Sequence, residues 1–113
     1  ESGSWPFLKP ADGSMQSLPG IARSTWGYAE GINDSGKMVG LKGYLAQGRI
    51  IDKAVLWSDA NTVVDLNKKV SLGRGEVLES AYRITNSDAI LARGFFPDIT
   101  ELGNLACLLV PSN

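Results

Sequence analysis

The sequence predicts an all-β chain of antiparallel, four-stranded, blade-like repeats, about two and a quarter units in 113 residues. Three observations predict it. The stretch Gly27-Tyr28-Ala29-Glu30-Gly31-Ile32-Asn33-Asp34-Ser35-Gly36-Lys37-Met38-Val39-Gly40 has two short apolar runs around Asn-Asp-Ser-Gly, the residue types that tolerate positive φ in a tight hairpin. Residues 29–40 align without gaps on 81–92, an offset of 52, and the same offset carries Ala54-Val55-Leu56-Trp57 onto Ala106-Cys107-Leu108-Leu109. Independently, 54–66 align on 6–18 at an offset of 48. Naming the four strands of one unit a to d, the chain reads c-d, a-b-c-d, a-b-c.

Each element follows from its local pattern. Residues 5–9 and 14–18 form a first hairpin around Asp12-Gly13, and Pro19-Gly20 ends it. After a connection from Ile21 to Trp26, strands at 28–33 and 37–41 form the central hairpin. The polar stretch from Lys42 to Lys53, interrupted by Gly43 and Gly48, reads as a loop in which Tyr44 and Ile50-Ile51 are available to cover a neighbour. Strands follow at 53–58 and 62–66, joined by Ser58-Asp59-Ala60-Asn61. Val70 to Leu78 reads as an irregular linker, since no 3.6-residue period runs through it. The second copy of the hairpin gives strands at 81–85 and 89–94. A loop from Phe95 to Asn104 leads to a last strand at 105–110, stopped by Pro111. The units thus span 5–18, 28–66 and 81–110 in one domain. Apolar positions that recur across them predict a core of Ile32, Val39, Val55, Leu56, Val64, Leu66, Ile84, Leu91, Cys107 and Leu109.

Composition narrows the function. A compact chain of this size buries roughly 65% of its unfolded surface, enough for a modest core. Eleven basic residues balance twelve acidic ones, so no long-range field draws nucleic acid or an anionic membrane. No apolar run approaches the ~20 residues that span a membrane, and the chain is expected to be soluble. The lone Cys107 excludes an internal disulfide and lies in an apolar run, where it acts as a small hydrophobe. Glu1 opens the chain without Met, basic leader or apolar run, so a signal peptide is expected to have been removed or never to have been there.

The motif Ala-x-x-Ile-Asn-Asp-Ser-Gly-x-x-Val-Gly at 29–40, followed by an apolar strand ending in Trp57 and by Asp65-Leu66-Asn67, resembles the extracellular HAF-repeat family. The resemblance implies β-propeller blades and an extracellular or periplasmic location. It covers residues 5–18, 28–67 and 81–110. The sequence departs from the family pattern in lacking its His, the strands reading Trp5-Pro6-Phe7-Leu8, Lys53-Ala54-Val55-Leu56-Trp57 and Leu105-Ala106-Cys107-Leu108-Leu109. The third unit also carries Asp88 where the turn glycine belongs. No catalytic residue carries over, and no cofactor is implied.

There is no histidine, which removes Ser-His and Cys-His nucleophilic sites and the commonest zinc ligand. The acidic residues fall mainly in predicted turns, loops and strand ends, and no spacing forces two of them into one site. Asn33-Asp34-Ser35-Gly36 resembles half of a calcium loop, yet lacks the alternating oxygens and distal Glu that such a loop requires. The ligand or interface candidates are therefore Trp5, Trp26, Tyr28, Trp57, Tyr82 and Arg83. Flat aromatic faces suit sugars or partner side chains, and Arg83 stands where the sister unit has Gly31. Against this, Trp57 ends a repeat-equivalent strand and fits core packing, and Arg83 fits a plain exposed cation. The expected function is a non-enzymatic binding or assembly module that self-associates, with a carbohydrate or protein ligand. The alternatives are a carboxylate-based hydrolase with a site between chains, and a C-terminal fragment of a larger propeller.

Overall fold

The computed structural model describes residues 7–8, 16–21, 24–97 and 104–111. Among these residues the chain forms nine strands: β1 (Phe7–Leu8), β2 (Gln16–Ser17), β3 (Trp26–Ile32), β4 (Met38–Ala46), β5 (Arg49–Asp59), β6 (Thr62–Asp65), β7 (Val77–Ile84), β8 (Ile90–Phe95) and β9 (Asn104–Leu109). A single 3-10 turn, Leu66–Lys68, is capped by the Asp65 carboxylate, which accepts the Asn67 N–H at 2.9 Å. All pairings are antiparallel: β1-β2, β3-β4-β5-β6 and β7-β8-β9 form three sheets in chain order. Within the described residues the sheets do not close into a ring.

From Tyr28 and Ser80 onward the registers of the four-stranded and three-stranded sheets correspond at the 52-residue spacing. Ala29 faces Gly40 and Ala81 faces Ala92; Val39 faces Leu56 and Leu91 faces Leu108. The β3–β4 ladder has a register break between Ala29 and Gly31, and the β7–β8 ladder has its counterpart between Ala81 and Arg83 and a further one between Leu78 and Ser80.

Two apolar clusters hold the sheets, one on each face of the four-stranded sheet. Val39, Ala54 and Leu66 pack against Leu78, Ala81, Ile84, Ile90, Ala92 and Phe96 of the three-stranded unit. On the opposite face Met38, Val55 and Trp57 pack under Leu18 and Ile21, and the Trp57 Nε1–H donates to the Pro19 carbonyl at 2.8 Å. Alternation along β4 and β5 sends neighbouring residues to different clusters, because side chains in a strand repeat with period two.

Four expectations need correction. The stretch from Lys42 to Lys53 is not a loop: β4 and β5 continue through it and turn at Gln47-Gly48, with Ala46 facing Arg49. Gln47 (φ 53°) and Gly48 (φ 75°) both adopt positive φ, which matches the right-handed twist of a two-residue hairpin. Gly43 is no breaker either, since the Trp26 indole occupies the space a side chain there would need. Trp26 accordingly opens β3 rather than lying in a connection. Ile32 and Leu91 are not core: they are 60% and 38% exposed. Their equivalents 52 residues away, Ile84 and Val39, are buried because those two faces press against each other, whereas Leu91 lies on the outer face of the three-stranded sheet, which no sheet covers among the described residues, and Ile32 shares the face of Met38 but is left exposed where Leu18 and Ile21 cover Met38, Val55 and Trp57. Finally, β7 begins at Val77, inside the expected linker.

Candidate functional site

The two Asx-rich turns, 52 residues apart in sequence, grip each other. Each closes on itself in the same way: Asn33 N–H donates to Lys37 O and Gly36 N–H to Asn33 O, just as Thr85 N–H donates to Ala89 O and Asp88 N–H to Thr85 O. Between the turns, Asn33 Nδ2 donates to the Thr85 carbonyl at 2.9 Å and to Asp88 Oδ1 at 3.0 Å. Asp34 N–H donates to Asn86 Oδ1 and Asn86 Nδ2 returns a bond to Asp34 Oδ2, both at 2.8 Å. Lys37 Nζ lies 2.6 Å from Asp88 Oδ2. Asp88 takes φ 69° where Gly36 takes φ 87°. An aspartate tolerates that region and adds a carboxylate that glycine lacks. Asp88, which stands where the second turn has lost its glycine, is thus the acceptor for Asn33 and Lys37. The Lys37 hydrogen bond, aided by its charge and by Asn33, holds the Asp88 carboxyl below the usual range against a smaller desolvation effect.

A second clasp joins the end of the four-stranded sheet to β7. Asn67 accepts the Leu78 N–H at 2.7 Å and donates to the Leu78 carbonyl at 2.9 Å, while its Nδ2 also reaches Asp65. Where β3 and β7 cross, a Cβ on Gly31 would lie 2.6 Å from the Tyr82 carbonyl oxygen and 3.0 Å from Arg83 Cα. Gly31 is therefore required by the closeness of the next sheet's backbone.

Beside the clasp, a cleft of about 300 Å³ opens between the facing sheets. Leu56, Val64, Leu66 and Val70 line it from the four-stranded side and Ile84, Ile90 and Leu109 from the three-stranded side, with Lys37, Asp88 and Lys69 also in its walls. It borders β9, which pairs with β8 on one edge and with no strand on the other among the described residues. The equivalent edge of β5 is occupied by β6. An apolar cleft beside free backbone donors and acceptors suits an extended polypeptide.

The sequence-predicted candidates do not converge on one site. Trp5 lies outside the described residues. Trp57 is fully buried between sheet and connection, and Trp26 is half-buried on Gly43. Tyr28 is exposed on β3. Tyr82 and Arg83 do meet, lining an open groove of about 550 Å³ with Glu30, Gly31, Ile32, Ile84 and Thr85. A larger open groove, about 660 Å³, is bordered by Lys53, Lys68, Lys69, Tyr44 and Asp65. Nearby, the Lys42 side chain is buried against Gly20 and Gly27, and desolvation pushes its pKa down to about 8. Burial likewise raises the Cys107 thiol. Among the described residues no group of three or more His, Cys, Asp or Glu side chains is placed to hold a metal ion.

The sequence did not single out Asn33, Lys37, Asn86, Asp88 and Asn67 as the residues that join the sheets. The available signal was that polar hydrogen-bonding residues stand at matching turn positions. Compared with protein-family models, curated proteins and solved structures, the chain finds no match.

Proposed function

We propose that the chain is a non-enzymatic binding or assembly module built of β-propeller-like repeat units, of the kind its resemblance to extracellular HAF repeats implies. Its units are consecutive blades, locked at their turns, that bind a protein partner or a second copy of the chain. One observation carries the reading: the two larger sheets are joined turn to turn through Asn33, Lys37, Asn86 and Asp88, and an apolar cleft walled by Leu56, Ile84 and Leu109 opens between them. Apolar surface open to solvent suits a protein partner, and self-association is its simplest use. Light scattering coupled to gel filtration tests it. A mass above the 12.1 kDa of one chain at high micromolar concentration is expected, and a persistent 12.1 kDa species removes self-association. Turnover of glycoside or ester substrates in a screen would remove the non-enzymatic reading.

A further inference from the structure

Positions in the two larger sheets can be compared directly, because their registers repeat at 52 residues. In the three-stranded unit, the buried Phe96 and the half-buried Leu105 pack into the apolar cluster between those sheets. At the same spacing, the four-stranded sheet has Tyr44 and Lys53. Lys53 precedes Val55 and Trp57 on β5, so the period of two puts it on the sheet face that Leu18 and Ile21 cover. There, between the Gly20-Ile21 connection and the end of β6, lies the open groove of about 660 Å³. Charged and polar side chains thus stand beside a groove where the sister sheet carries packed Leu and Phe.

The groove is basic although the chain is not. Lys53 of β5 and Lys68 and Lys69 at the end of the 3-10 turn line it, against one acid, Asp65. That carboxylate is engaged in its own turn, where Oδ1 accepts the Asn67 N–H at 2.9 Å and Asn67 Nδ2 at 3.0 Å. The ion pairs among the described residues are Lys37–Asp88 and Arg93–Glu79, so none of the three groove lysines has a carboxylate partner there. Three such cations around one groove suit a ligand with several anionic groups. The half-buried Ile21, Val63 and Tyr44 supply the apolar part of the wall. Protein interfaces are poor in lysine and are anchored by aromatic or arginine side chains in buried pockets, and specific binding of duplex nucleic acid takes more phosphate contacts than three cations make. A saccharide chain has both parts, C–H ring faces for the apolar wall and carboxylates for ammonium groups, which act as point charges on flexible stems and need no fixed fork geometry. We infer that this groove binds an acidic oligosaccharide, with its uronate carboxylates on Lys53, Lys68 and Lys69 and its rings against Ile21, Val63 and Tyr44. The inference names a ligand for the binding-module reading and rests on it.

The test is a titration of the whole, nitrogen-15-labelled chain with a short galacturonate oligomer at low salt, followed by amide shifts in NMR. Saturable shifts at Ile21, Lys53 and residues 63–69 are expected, with a dissociation constant on the order of 0.1–1 mM for a few exposed charge pairs and one apolar wall. The methyl-esterified oligomer keeps the rings and loses the charges, so it should bind at least about tenfold more weakly. Lys68→Gln combined with Lys69→Gln, both exposed, should weaken binding roughly fivefold. Lys53→Leu, which gives β5 the residue type the sister sheet has at Leu105, should fold normally and weaken it about threefold. Absence of saturable shifts in the folded chain, shifts confined to other surfaces, or equal binding of the esterified oligomer overturns the inference. A glutamate oligopeptide that binds as tightly as the saccharide also overturns it, since the groove would then read charge alone. Self-association is a separate outcome: a 12.1 kDa species that binds the oligomer retains this site, and a multimer that ignores the oligomer loses it while the assembly reading stands.

Discussion

Replacing Gly31 by alanine probes the stacking of the two larger sheets at its tightest point. The new methyl would sit 2.6 Å from the Tyr82 carbonyl oxygen and 3.0 Å from Arg83 Cα, where ordinary contact begins near 3.4 Å. The sheets must therefore part by about 0.8 Å, and both obstacles are backbone, so no rotamer change relieves them. Overpacking of this sort costs about 1–3 kcal/mol, here near the upper end, against which the stiffer unfolded chain returns about 0.4–1 kcal/mol. The net loss should be about 1.5–2 kcal/mol, which lowers Tm by roughly 10 °C in a domain of this size. Urea unfolding followed by tryptophan fluorescence measures it, since Trp57 is buried between its sheet and the Leu18–Ile21 segment. Gly73→Ala is the control: its methyl meets only the flexible Glu76 carboxylate at 3.2 Å and should change stability by less than about 0.5 kcal/mol. If Gly31→Ala behaved like the control, β3 and β7 would not cross there and the face-to-face stacking would be wrong.

Asn67→Ala should cost about 1–3 kcal/mol and deprotect the Leu78 amide in hydrogen exchange, because it removes both bonds to the Leu78 backbone. The Lys42 pKa, lowered from 10.5 to about 8, means that the unfolded chain holds the proton longer, so between those pH values its contribution makes stability rise with pH. Allowing for solvent screening, the rise should be about 1–3 kcal/mol relative to Lys42→Met, and parallel pH profiles for the two proteins would contradict it. The depressed Asp88 carboxyl contributes stability that is fully present above the ordinary carboxylate pKa and lost as pH falls through its folded value. In an NMR titration Lys37→Gln should move the Asp88 pKa back up. The Cys107 thiol, raised by burial, should react with a thiol reagent far more slowly in the folded chain than in urea.

Strand order was legible because the chain repeats its hairpin chemistry at fixed offsets, and a turn such as Asn33–Gly36 acts locally. The 42–53 hairpin was not legible, because Gly43 and Gly48 look alike in sequence. One makes room for the Trp26 indole and the other supplies a positive-φ turn. Burial was legible for Val39, Val55, Leu66 and Ile84, where a face is covered. It failed for Ile32 and Leu91, since a repeat predicts which residues share a face but not which faces, or which part of a face, find a neighbour. The replacement of Gly36 by Asp88 in the second turn looked like decay. Only the meeting of the two turns gives that carboxylate its partners, and an offset of 52 establishes equivalence without establishing contact.

The most direct test of the clasp between units is hydrogen exchange at the Asp34 amide. This amide lies in an exposed turn, and its acceptor is Asn86 Oδ1, 52 residues away at 2.8 Å. Protected exchange in the native chain, lost on Asn86→Ala while the β4–β5 amides keep their protection, is the predicted result. Exchange at the free-peptide rate in the native chain, or protection that survives Asn86→Ala, would contradict the account.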